Sequence, residues 1–233
     1  SGSAGIVTVQ GLASPAQSIL IDGAGSGIFT DTQGTGAGGN IFVNANSVTL
    51  QNGGTLSAAT SGTAPTAPGG TITVDANQVQ LLTGGLITAA TTGRGDAGSV
   101  TINGAESVTL AGQVSFATPP LSARSRILTS TSGSGDGGDV TITAGQSVSL
   151  TGNQSGIFSN TSGTGSAGNI TIAVDTLALN SRAQVQANTL PGSEGHGGNI
   201  DVQVRAALLT GNSGIASNTL GSGDAGAIVI TAQ

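Results

Sequence analysis

A chain of 233 residues with 41 glycines, 36% apolar residues, 7% charged residues and a formal net charge of −6 is ill suited to several functions. Five Arg, no Lys, and neither Tyr nor Trp leave no cationic stripe for phosphates and no stacking platform for bases, which argues against nucleic-acid binding. The lack of Cys rules out disulfide staples, and no apolar run approaches the roughly 20 residues that cross a bilayer as a helix.

Read from its start, the chain repeats one phrase eight times. It begins at Gly5, Gly39, Gly70, Gly98, Gly138, Gly168, Gly198 and Gly226, at intervals of 34, 31, 28, 40, 30, 30 and 28 residues. Gly138-Asp-Val-Thr-Ile and Gly168-Asn-Ile-Thr-Ile are typical copies. A recurrence of this length marks a stacked repeat, so residues 1–233 are expected to form one quasi-linear domain.

The coil that starts at Gly138 shows the expected elements. Val140 and Ile142 alternate with Thr141 and Thr143, the period-2 pattern of a half-buried strand. After Ala-Gly-Gln comes a second strand, Ser147 to Leu150. A Thr-Gly-Asn-Gln turn follows, and then a third strand from Gly156 to Thr161. Three short strands cannot bury a face alone, so each is expected to pair in parallel with its copy one coil later, about 4.8 Å along the axis. Four apolar columns result: Val7 to Ile228, Val9 to Ile230, Ile21 to Leu209 and Ile28 to Ile215.

Polar columns recur too. Thr131, Thr161, Thr189 and Thr219 continue a series begun by Thr32, Thr60 and Thr91. Asn160, Asn188 and Asn218 precede the last three of them, and stacked Asn can hydrogen-bond along an axis. Both columns read as structural ladders. Two coils carry insertions, one near residues 12–17 and a longer one at about 113–126. The longer insertion holds Phe116, Arg124 and Arg126 and is the candidate contact loop.

The run Gly-Asn-Ile-Thr-Ile, then Ser-Val-Ser-Leu, then Ile-x-Ser-Asn-Thr-Ser-Gly-Thr-Gly-x-Ala-Gly resembles repeats of filamentous-haemagglutinin-like exoproteins. These belong to the two-partner secretion pathway, and the likeness is to cyanobacterial members. It covers Gly5 to Gln233. The resemblance implies a right-handed parallel β-helix, exported and displayed or released as an adhesin or matrix component. The chain has no Asn-Pro dipeptide of the kind found in that family's secretion domain, so it matches the shaft.

Other chemistry is weaker in the sequence. The eleven acids scatter over different columns, without the clustered carboxylates that a polysaccharide-active β-helix needs. His196 and Glu194 share one Gly-rich loop, a poor metal site. Asp96, Asp136 and Asp224 recur in such loops and are Ca²⁺ candidates, although the period is too long for a nonapeptide β-roll. They also explain Arg94-Gly95-Asp96, in which only Arg94 departs from the repeat. An outward column of Thr73, Thr101, Thr141 and Thr171 raises ice binding, but Asp139 and Asn169 break its neighbour.

The expectation is therefore a right-handed, single-stranded parallel β-helix of about seven three-stranded coils with a period of about 28–31 residues. Its expected role is that of a non-enzymatic structural and adhesive shaft in a secreted bacterial surface protein. The phrase stands at both termini without a cap, so end-to-end pairing with other copies or flanking solenoid is expected. A ligand-binding solenoid for ice or a glycan, using an outward Thr/Asn face, is the alternative. No cofactor is expected apart from the Ca²⁺ candidates. Neither nucleic acid nor membrane insertion is expected.

Overall fold

A computed structural model describes residues 2–12, 15–62, 67–116 and 121–232. The described chain is all-β: a parallel solenoid whose coils stack with a period of about 30 residues. The long strands Ile41–Gln51, Ile72–Leu82, Val100–Ala111, Val140–Thr151, Ile170–Asn180 and Ile200–Leu209 lie side by side in a nine-stranded sheet. Short strands form a second sheet of seven, running from Gly27–Phe29 through Arg126–Leu128 and Gly156–Phe158 to Gly214–Ala216.

Register follows the phrase column by column. Val7, Ile41, Ile72, Val100, Val140, Ile170, Ile200 and Ile228 pair in succession. The columns through Ile142, Leu150 and Ile157 stack in the same way, and these three side chains are fully buried. Like sits on like because β-branched and Leu side chains on one pleat face pack against identical neighbours.

The structure refines the expectation of three strands per coil. The first two are continuous: Val140–Thr151 carries the backbone through Ala-Gly-Gln as a bend, with a register shift after Thr143. Buried Ala45, Ala76, Ala144 and Val174 fill the inside of that bend, where a larger side chain would push the corner open. The third strand is three residues long, and single bridges continue it along Thr32, Thr60, Thr91, Thr131, Thr161, Thr189 and Thr219.

Both insertions occupy corners. The first splits the opening long strand into Val7–Val9 and Ala16–Asp22, which both pair with Ile41–Gln51. Ala13 and Ser14 lie outside the described residues. The second is an antiparallel hairpin, Gln113–Phe116 against Leu121–Arg124, and its residues 117–120 also lie outside them. At its foot Ser125 is buried, accepts the Gly84 N–H and donates to Ala111 O at 2.7 Å. These bonds bring the chain back into register for Arg126–Leu128, which pairs on both sides.

The leading glycine of each phrase is required by space. A Cβ on Gly70, Gly98, Gly138, Gly168 or Gly198 would fall on the carbonyl oxygen of the matching glycine one coil earlier. Backbone there cannot move aside, because the flanking strands hold it at sheet spacing. Gly138→Ala is therefore expected to destabilise the fold by at least about 1–3 kcal/mol, the cost of overpacking. The half-exposed Thr141→Ala should stay within about 0.5 kcal/mol. Urea denaturation of the two variants measures the difference.

Candidate binding groove

Loops that read as flexible in sequence are laddered in the structure. Asp136 N–H donates to Asp96 Oδ1 at 2.8 Å and Ser166 N–H to Asp136 Oδ1 at 2.7 Å. The series continues as His196 N–H donates to Ser166 Oγ at 3.2 Å and Asp224 N–H to His196 Nδ1 at 3.0 Å. The Ca²⁺ candidates Asp96 and Asp136 thus lie in one column, turned onto the backbone of the next coil. Asp224 lies in the same column, two coils beyond Ser166. Among the described residues no three of His, Asp and Glu come together as a metal-binding group.

The Asn column does the same work. Asn188 N–H donates to Asn160 Oδ1 at 2.9 Å and Asn218 N–H to Asn188 Oδ1 at 2.7 Å. A ladder that sequence reading did not single out precedes the long strands. Asn169 N–H donates to Asp139 Oδ1 at 2.7 Å, Asn199 N–H to Asn169 Oδ1 at 3.0 Å and Ala227 N–H to Asn199 Oδ1 at 2.8 Å. Parallel stacking puts each N–H beside the side chain one coil below, so an Asx oxygen at such a corner finds a donor. The outward Thr73, Thr101, Thr141 and Thr171 are in register beside this ladder, whose polar side chains are turned to the backbone. Asp139 and Asp201 border one shallow depression on that face.

A concavity of about 760 Å³ lies outside the short-strand sheet. Leu128, Phe158 and Gln186 pair in succession as its floor, with Ser130 and Asn160 beside them. Corner residues Asn153, Gln154, Arg182 and Asn212 form one wall. Thr92, Ser132, Ser162 and Leu190 form the other. Only Arg126 and Arg182 among its lining residues are ionised, in a chain whose formal charge is −6.

Arg126, expected in the contact loop, sits on the groove wall. Its guanidinium lies 5.1 Å from the Phe158 ring centroid, a cation–π geometry. Its Nε donates to Gln154 O at 3.0 Å and its Nη2 to Gln154 Oε1 at 3.2 Å. Burial, and secondarily the charge of Arg124, lowers its pKa, but an Arg stays protonated at neutral pH. Arg124 is at the hairpin's foot and its Nε is buried without a partner among the described residues. Phe116 closes the first hairpin strand. Arg94 borders a depression that shares Thr92 with the groove.

Sequence reading missed Arg182, Phe158 and the Gln residues, because these positions look like ordinary repeat. A turn-by-turn alignment carries the signal. Gly53 and Gly84 follow Asn52 and Thr83 in the corner turns, with positive φ at both places, and Arg182 follows Ser181 at φ 66°. Comparison with protein-family models, with curated proteins and with solved structures finds no match to this chain.

Two outcomes follow from the ladders. Asn160→Ala leaves the buried Asn188 N–H without its acceptor, and thermal denaturation should show a loss of about 1–3 kcal/mol. Chelation by EGTA should leave the melting temperature unchanged, because the loop carboxylates of Asp96 and Asp136 are held by N–H donors. A fall of several degrees would show that Ca²⁺ is bound there.

Proposed function

We propose that this chain is a structural and adhesive length of a secreted bacterial surface protein, a stiff shaft that carries a binding face. The observation that supports it is the continuity of hydrogen bonding along the axis. Long strands, short strands, the Thr bridges and the polar corners all bond from one coil to the next. A solenoid joined at so many points around its section resists bending more than one held by a single sheet. The resemblance of its repeats to filamentous-haemagglutinin-like exoproteins supports export and surface display, and end-to-end contact with further solenoid belongs to the same reading. Among the described residues no helix is long and apolar enough to cross a membrane.

A ligand-binding reading is favoured by one specific observation, the groove over Phe158. It complements the shaft reading, since an adhesive shaft needs a surface that recognises something. The 113–124 hairpin stands at the corner from which the neighbouring coils send Asn153, Gln154 and Arg182 to the groove wall.

Single-molecule stretching tests the shaft. Releasing one coil of about 30 residues frees roughly 100 Å of contour at the extended-chain length per residue. The expected trace is a series of force peaks at that spacing or its multiples. A featureless extension at low force would remove the proposal.

A further inference from the structure

We propose that the groove over Phe158 binds a linear polysaccharide bearing carboxylates, a uronate chain lying along the solenoid axis. This deepens the adhesive reading by naming what the shaft would hold.

Shape is the first argument. The lining runs from Ala90 through Ser130, Asn160 and Gln186 to Asn212, one residue from each of five successive coils, so it spans roughly 20 Å at about 4.8 Å per step. That is an open trough for an extended chain. It is a poor pocket for a compact small molecule, which is usually buried on most sides.

Charge is the second. Arg126 and Arg182 are the ionised groups of the lining, and no carboxylate stands among them. An anion meets attraction here and repulsion over much of the remaining acidic surface. Two guanidiniums are too few to neutralise a nucleic-acid backbone, but their planar forks match carboxylates bidentately. Arg126 uses two of its five N–H donors on Gln154, and no described residue bonds to the others. Bonds to Gln154 and contact with Phe158 set the plane of its fork before a ligand arrives.

The remaining surface is the third. Asn160 Oδ1 is taken by the Asn188 N–H. Gln154, Gln184 and Gln186 keep amide N–H donors along the trough beyond their bonds to Arg126 and to one another, and a sugar hydroxyl can accept from these. Phe158 is 8% exposed and lies under the Arg126 guanidinium, so its part is to seat that guanidinium at the groove. A peptide added as a strand has no edge to pair with, because the short strands under the groove are hydrogen-bonded to neighbours on both sides.

Arg182, at φ 66°, stands in a corner where Asn52, Thr83, Gln154, Ser181 and Asn212 also have positive φ, so the turn itself sets this backbone and carries the second guanidinium to the groove wall.

Calorimetric titration of the full chain with hexagalacturonate, cellohexaose and dextran sulfate tests the proposal. The expected result is hexagalacturonate binding that weakens as salt rises, with cellohexaose bound at least tenfold less tightly. Arg126→Gln and Arg182→Gly should each weaken it about tenfold or more, and Arg205→Gln, whose guanidinium faces Asp175 at 3.5 Å, should leave it unchanged. Arg182→Gly relieves backbone strain, so its melting temperature should hold or rise, which separates lost binding from lost fold. No binding of hexagalacturonate, equal binding by the Arg126→Gln/Arg182→Gly double variant, or preference for dextran sulfate would each overturn the proposal. All these readouts are independent of whether stretching shows a stiff shaft.

Discussion

The spacing of hydrogen-bonded strands, about 4.8 Å, governs this molecule at every point of its coil. In a globular sheet that distance binds only the strands, and the connections go their own way. Here corners and loops are also stacked on their copies, so they too must fit the same rise. Glycine is the consequence wherever one backbone passes directly over another: a methyl group on Gly133 or Gly163 would occupy the carbonyl oxygen of the glycine below. Composition that resembles a disordered segment is thus the composition of close stacking.

The same rise explains the polar corners. Each Asx oxygen at Asp96, Asp139 or Asn160 stands beside the N–H of the residue one coil on and accepts from it. Side chains with the chemistry to hold a cation or face a ligand are used instead to close the backbone ladder. Residue columns therefore have two kinds of meaning. A column that keeps its residue type is stacking, and a column that changes type at one coil is the place to look for recognition.

Most of the fold is readable on that basis. All four apolar columns and the Thr series follow directly from spacing, because each inward position recurs with the phrase. The bend after Thr143 is not readable as part of a continuous strand, since Ala-Gly-Gln has the local chemistry of a turn and it is pairing before and after it, with Ala144 on Ala105 of the preceding coil, that carries the strand through. The groove is legible only in part. Arg126 stands out as a cation near an insertion. Phe158, inside the short strand Gly156–Phe158, and Arg182, in the corner turn of the following coil, carry no such mark. They meet because stacking brings successive coils together, and no local pattern encodes that meeting.

Amide hydrogen exchange tests the central claim most directly, because it reads the loops separately from the strands. If stacking holds the whole coil, the N–H groups of Asp136, Ser166 and Asn188 should be protected to nearly the same degree as those of Ile142 and Ile172. Loop amides exchanging at the rate of an unstructured Gly-Ser segment, beside protected strands, would contradict it.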